Sequence, residues 1–174
     1  MMVKNNFIPT MQPRYVPGAD HNDIIRLHGG STYAEIKEDG YRVQLHKYRD
    51  SLVGYTRSGN EMILSLYPEI ASSMKPLPDC IIDAELVQSN REGITAFEGV
   101  KRRFRHTIKE LAIDSYLQSS LLNEYPLELR AFDVLRFEGK SLMKRPIEVR
   151  RARLESLEQD GLRISSSRCI DSPG

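Results

Sequence analysis

Cysteine is scarce, neither charge dominates and no long apolar run occurs, and each shortage removes a class of explanation. The two cysteines of the 174-residue chain, Cys80 and Cys169, stand far apart, with no Cys-x-x-Cys pair and no histidine at ligand spacing. That argues against a disulfide framework and against a structural zinc site. Basic and acidic side chains nearly cancel, 25 against 24, so any contact with nucleic acid must come from a local patch. No apolar run is long enough to cross a membrane, and Met1 to Asn6 lack the apolar centre of a secretion signal. The expectation is a soluble, cytoplasmic chain. Repeats and low-complexity tracts are also missing, and the length suits one domain with a real core.

What is present is a dense hexamer, Lys37-Glu38-Asp39-Gly40-Tyr41-Arg42. Asp-Gly between two alternating segments, 33–37 and 41–47, predicts a hairpin with a lysine at its rim. A lysine amine becomes a nucleophile when nearby cations or desolvation make its neutral form available. The alternative is a common turn flanked by solvated charges.

Periodicity extends this to the whole chain. Residues 1–30, rich in Pro, Gly and Asn, read as an irregular lead-in. Strands are expected at 33–37, 41–47 and 52–57, with Ser58-Gly59-Asn60 as a turn. A short helix from Pro68 to Met74 precedes an apolar strand, Cys80 to Val87. Helices are expected at 94–105 and 107–122, a strand from Leu127 to Phe137, a turn at Gly139 and a charged helix from Pro146 to Gln159. The fold class is α+β with a mainly antiparallel sheet and flanking helices. Alternation puts Glu35 beside Lys37, and Asp83 beside Glu85 opposite Ile82, Ala84 and Leu86. It also puts Arg130 and Phe132 on a polar face, with Asp133 among Leu129, Ala131 and Leu135. The run Lys101-Arg102-Arg103-Phe104-Arg105-His106 is either a phosphate-binding patch or a solvated helix face. Arg150, Arg151 and Arg153 read as surface partners of Glu148, Glu155 and Glu158.

The order of these segments resembles the nucleotidyltransferase domain of ATP-dependent DNA ligases, a superfamily shared with RNA ligases and mRNA capping enzymes. Lys37 to Arg42 matches the family's lysine motif. Thr56-Arg57-Ser58-Gly59 resembles its Ser/Thr-Arg-x-Gly element, and Ile82-Asp83-Ala84-Glu85-Leu86-Val87 its Asp-Gly-Glu motif with Ala for Gly. Phe97 with Arg102 and Arg103 resembles a Phe-x-x-x-x-Arg-Arg helix. Ala131-Phe132-Asp133-Val134-Leu135 with Gly139 resembles the Phe-Asp-x-Leu…Gly motif, and Pro146 to Leu154 a Pro-Leu-x-x-Arg-Arg helix. The resemblance covers about residues 8 to 160.

It implies that Lys37 takes AMP from ATP as a phosphoramidate, with Mg²⁺ carried by the triphosphate, and passes it to the 5′-phosphate of nicked DNA. Asp39 and Arg42 would stand near the reacting groups, with Arg42 and Arg57 at the phosphates or ribose. Glu35 would accept from the adenine amino group, Glu85 would hold a ribose hydroxyl and Phe132 would stack on the base. Arg57, Lys101, Arg102 and Arg103 would meet DNA. Bland readings stand beside these: Glu35 as a cross-strand ion partner, Phe132 as core, Asp83 and Asp133 as structural carboxylates, and Arg57 as a turn cap.

Two further family motifs, Glu-Gly with a lysine and then Lys-x-Lys, are not found after Phe132, nor is an OB-fold domain. Glu98-Gly99-Val100-Lys101 precedes Phe132 and is out of order. Residues 31–174 therefore read as a partial adenylation domain. They would be active wholly or in part, or would form a nucleotide- or DNA-binding remnant, with an RNA ligase or capping-type transferase as a variant. Unfilled sheet edges are expected to invite self-association or a complementing polypeptide.

Overall fold

Strands that alternate apolar with polar side chains build the larger of two sheets. The computed structural model describes residues 7–13, 15–89, 96–105 and 115–171. Its first half runs α1 (His21–Leu27), β1 (Ser31–Glu35), β2 (Tyr41–Tyr48), β3 (Ser51–Thr56), β4 (Glu61–Met62), a 3-10 turn (Leu64–Leu66) and α2 (Pro68–Met74). Then come β5 (Cys80–Gln88), α3 (Ala96–Phe104), α4 (Ser115–Glu124), β6 (Leu127–Phe137), β7 (Lys140–Ser141), α5 (Ile147–Glu155), β8 (Leu162–Ile164) and β9 (Ser167–Asp171). The main sheet is antiparallel in the order β4-β3-β2-β5-β6-β7, with β8 added parallel to β6. This is the expected α+β class. Among the described residues no helix is long and apolar enough to cross a membrane.

Several expectations meet a different outcome in the structure. First, the lead-in is not wholly irregular. Asp20 caps α1, accepting from the Asp23 amide at 2.8 Å while the Asp23 carboxylate accepts from the Asp20 amide at 3.1 Å. That reciprocal pair starts a helix that Pro and Gly nearby had masked. Second, of the helix expected at 107–122, residues 107–114 lie outside the described residues, and α4 runs over Ser115–Glu124.

Third, Lys37 to Arg42 is not a hairpin. β1 pairs with β9, Ser31 opposite Asp171 and Glu35 opposite Ser167, and this ribbon is separate from the main sheet. Residues 36–39 cross from one sheet to the other. At Gly40 the chain meets β5 so closely that a Cβ would lie 2.3 Å from the Leu86 carbonyl oxygen and 2.8 Å from Val87 Cγ1. Glycine is needed there for space.

One face of the main sheet forms the core. Val43 and Leu45 of β2, Ile82, Ala84 and Leu86 of β5, and Leu129, Ala131 and Val134 of β6 pack with Ile70 and Met74 of α2, Val100 of α3 and Leu154 of α5. Asp83 and Glu85 share the opposite face, as their spacing implies. Asp133 does not keep its expected place among Leu129, Ala131 and Leu135. Between β5 and β6 the register slips twice: Ala84 faces Ala131 but Asp83 faces Asp133, and Ile82 faces Val134 while Ile81 faces Arg136. Phe132 and Leu135 are the extra residues. Each bulge resets the alternation, so Val134 takes the core position and Asp133 stays partly exposed beside Arg150.

Gly40→Ala is expected to destabilise the fold by about 1–3 kcal/mol, the usual range for overpacking against groups that cannot withdraw. Urea unfolding of the two proteins checks this. Equal midpoints would mean the crossing segment yields freely.

Candidate active site

Gly40 brings the crossing segment onto β5, and its backbone N–H donates to the Glu85 carboxylate. That places Lys37 in the lining of a cleft of about 670 Å³ with walls from both sheets. Glu35 enters from β1, Lys37 from the crossing segment, Arg42 from β2, Arg57 from the β3–β4 turn, Glu85 from β5 and Phe132 from β6. Six residues singled out in the sequence thus meet in one place. Asp39 does not line the cleft; it is exposed, and its charge acts on Glu85.

Phe132, next to the core-facing Ala131, lines this cleft from the polar face, where the Arg42 guanidinium lies 5.0 Å from its ring centroid. Arg42 is not free. Its Nη2 donates to Asp83 Oδ2 at 2.8 Å and to the Met11 carbonyl at 3.1 Å. Asp83, 1% exposed, also accepts from Gln44 Nε2 at 3.0 Å. Opposite it, Asp133 accepts from Arg150 Nε at 2.8 Å. Two carboxylates facing each other across a sheet are therefore each matched by an arginine.

Burial raises the pKa of Glu85, opposed by the Gly40 hydrogen bond and by Arg42 and Lys37. The walls around the Glu35 carboxylate desolvate it and raise its pKa too, although the residue is exposed at its rim; Arg151 opposes the rise. Desolvation also raises Asp133 against the pull of Arg150. Farther along the same sheet face, burial lowers His46 to about 4, so its ring is neutral at pH 7. Its Nε2 lies 2.8 Å from Gln44 Oε1.

The basic run on α3 divides. Arg103 is 3% exposed and points inward: its Nη1 donates to Glu69 at 2.7 Å and its Nη2 to the Leu66 carbonyl at 2.9 Å. It ties α3 to α2, and its expected place among DNA contacts is withdrawn. Arg102 donates to Tyr125 Oη at 2.6 Å and is partly engaged, while Lys101 is exposed. On α5, Arg151 pairs with Glu155 as expected, but Arg150 reaches Asp133 and Arg153 stacks 4.4 Å from the Phe137 ring centroid.

Sequence reasoning passed over Gln12 and Pro13, which line the cleft, and Ile36, which is 60% exposed on its wall. Nothing in their local pattern marks them. Gln44 was also missed, although its even spacing from Arg42 puts it on the polar face and could have found it.

A family model described as the ATP dependent DNA ligase domain matches residues 16–171. The chain belongs to that family. Relatives of this ligase domain include the DNA ligase of Thermococcus fumicolans, 36% identical over 151 residues, covering 84% of this chain and 25% of that protein. The DNA ligase of Thermococcus onnurineus is 34% identical over 140 residues, covering 78% and 23%. The ligase domain here thus spans about a quarter of the length of these relatives. The ligase domain of LigD from M. tuberculosis shares the fold, with a TM-score of 0.57 and 20% identity over 82% of this chain and 42% of that one. A mycobacterial DNA ligase D solved with ATP and MES gives 0.56 and 21%, over 79% and 40%.

Removing the buried Arg103 guanidinium leaves the part-exposed Glu69 carboxylate and the Leu66 and Tyr125 carbonyls without their donor. Arg103→Ala is expected to cost about 1–3 kcal/mol of stability, whereas Lys101→Ala leaves the melting temperature within a degree or so of the parent, as surface changes usually do. Thermal denaturation separates the two residues' roles. A second expectation concerns acid. His46 has a folded pKa near 4 against an ordinary 6.5, so below about pH 6.5 the unfolded chain binds the extra proton. Its contribution to stability is whole above pH 6.5 and is lost as pH falls towards 4. Between pH 7 and 5 the parent's melting temperature should fall more than that of His46→Phe; parallel curves would contradict the assignment.

Proposed function

We propose that this ligase domain is an adenylation module that forms a lysine–AMP intermediate at Lys37 and uses it to activate the 5′-phosphate of nicked DNA. The observation that carries this is the convergence of Lys37, two carboxylates and an aromatic ring in one cleft of about 670 Å³. The Lys37 Nζ attacks the α-phosphorus of ATP and forms a P–N bond. The bond from that phosphorus to the oxygen bridging the β-phosphate breaks, pyrophosphate leaves with the electron pair, and the amine proton passes to solvent. Such a displacement relies on in-line positioning and on charge placed around the phosphate oxygens.

Each wall of the cleft has a part in this reading. Phe132 stacks on the base, held from behind by Arg42, which serves the platform in preference to the phosphates because Asp83 already neutralises it. Glu35, at the cleft's rim, accepts from the adenine amino group. Glu85 offers its remaining lone pairs to a ribose hydroxyl. Arg57 and Lys37, which have no ion-pair partner among the described residues, supply positive charge to the phosphates, and Arg57 with Lys101 and Arg102 supplies it to DNA. Among the described residues no cluster of three or more His, Cys, Asp or Glu side chains could hold a metal ion. The described residues therefore offer no ready-made cage for Mg²⁺. As part of a cytoplasmic ligase, the module would serve repair, replication and recombination.

A second reading, a nucleotide- or DNA-binding module with impaired catalysis, is favoured by the thinness of the smaller sheet. Only β1 and β9 face the main sheet there, and Lys37 is the one lysine among the described residues lining the cleft.

Intact-mass spectrometry after incubation with ATP and Mg²⁺ tests the choice. The expected result is an acid-labile AMP adduct on the parent and none on Lys37→Ala. No adduct, with ATP binding still measurable by titration, would replace the first reading by the second.

A further inference from the structure

Residues 7–13 contain no regular secondary structure, yet they lie across the polar face of the main sheet. Gln44 is what holds them. This side chain is 1% exposed and makes four hydrogen bonds. Its Oε1 accepts from the Ile8 amide at 3.0 Å, and its Nε2 donates to the Ile8 carbonyl at 3.0 Å. A side-chain amide thus pairs with a backbone residue as a neighbouring strand would. The same Nε2 donates to Asp83, and with Oε1 already an acceptor the neutral His46 must present Nε2–H to it. Phe7 packs on Tyr55, ring centroids 5.8 Å apart, and Met11 accepts from Arg42. The segment then carries Gln12 and Pro13 into the wall of the cleft, while Ile8 borders a second cavity of about 560 Å³ beside His46.

We propose that Gln44 is a positioning residue for the nucleotide site: it straps residues 7–13 over the sheet, and so sets both the Gln12–Pro13 wall and the Asp83–Arg42 pair behind Phe132. This rests on the adenylation reading for its ligand, a purine nucleotide, and on geometry alone for the strap. Gln44 touches no part of the cleft. Its influence passes by two routes, outward through Ile8 and inward through Asp83, and both end at cleft-lining residues.

The test is a double-mutant cycle on the full chain. Gln44→Met keeps the volume and removes all four hydrogen bonds; Ile8→Pro removes the amide that Gln44 accepts from. Each single change is expected to raise the Kd for ATP about three- to tenfold, the usual effect of losing one or two hydrogen bonds. The double variant should be no worse than the weaker single one, because both break the same strap. Unchanged affinity in the singles, or a double loss equal to the product, overturns the proposal.

Hydrogen exchange gives an answer that does not need ATP. In Gln44→Met the Ile8 amide, which donates to Gln44, should exchange faster while those of β5 and β6 keep their protection. Unaltered exchange at Ile8 overturns the strap. If the parent takes up no ATP, the adenylation reading falls and this exchange measurement still decides. If Gln44→Met does not fold, Ile8→Pro alone decides: an unchanged Kd for ATP overturns the proposal.

Discussion

Between Gly40 and the backbone of Leu86 there is room for a hydrogen atom and nothing larger. That contact ties the segment carrying Lys37 to the strand carrying Glu85, and a hydrogen bond from the Gly40 amide to the Glu85 carboxylate closes the join. Once it is made, β2 must leave Gly40 in register with β5, Tyr41 opposite Leu86 and Arg42 opposite Glu85. Arg42 then reaches Asp83, two residues along β5 from Glu85, and the guanidinium is in place behind Phe132. The chemistry of the cleft is thus built outward from a steric limit at one residue.

Charge on the sheet's polar face is arranged in matched units. Asp83 and Asp133 face one another across β5 and β6, which would be unfavourable for two free carboxylates. Arg42 comes from the neighbouring strand to one and Arg150 from α5 to the other, so each aspartate also anchors a different element. These carboxylates are structural supports for the cleft, and Arg42, the partner of Asp83, also lines it while Arg150 does not. Arg103 shows the same economy on the core side, where one guanidinium joins α3 to Glu69 and to the carbonyl of Leu66.

Much of this was legible in the sequence where a residue's position depends on its near neighbours. The alternation of Ile82, Ala84 and Leu86 with Asp83 and Glu85 gave the faces of β5, and the turn residues Gly59 and Gly139 stand where positive φ is needed. Long-range features were not legible. Asp-Gly has the chemistry of a hairpin turn, but its glycine serves close packing, and β1 finds its partner at the other end of the described chain. A bulge at Phe132 changes which face Asp133 takes, and no local pattern announces a bulge. Arg103 looks like its basic neighbours until helix packing decides which of them turns inward. Gln44 is an ordinary polar strand residue in the sequence; only the folded arrangement of Ile8, Asp83 and His46 around it gives it a task.

The pairing of β1 with β9 has a consequence for the order in which the molecule is made. Strands β2, β3, β5 and β6 find their partners within the same stretch of chain, so the main sheet can assemble while synthesis proceeds. Ser31 must wait for Asp171 and Glu35 for Ser167. Closing so long a loop is the slow, entropically costly part of assembly. The ribbon that leads into Lys37 therefore joins the two ends of the described chain, and the cleft depends on the longest-range strand pairing among the described residues.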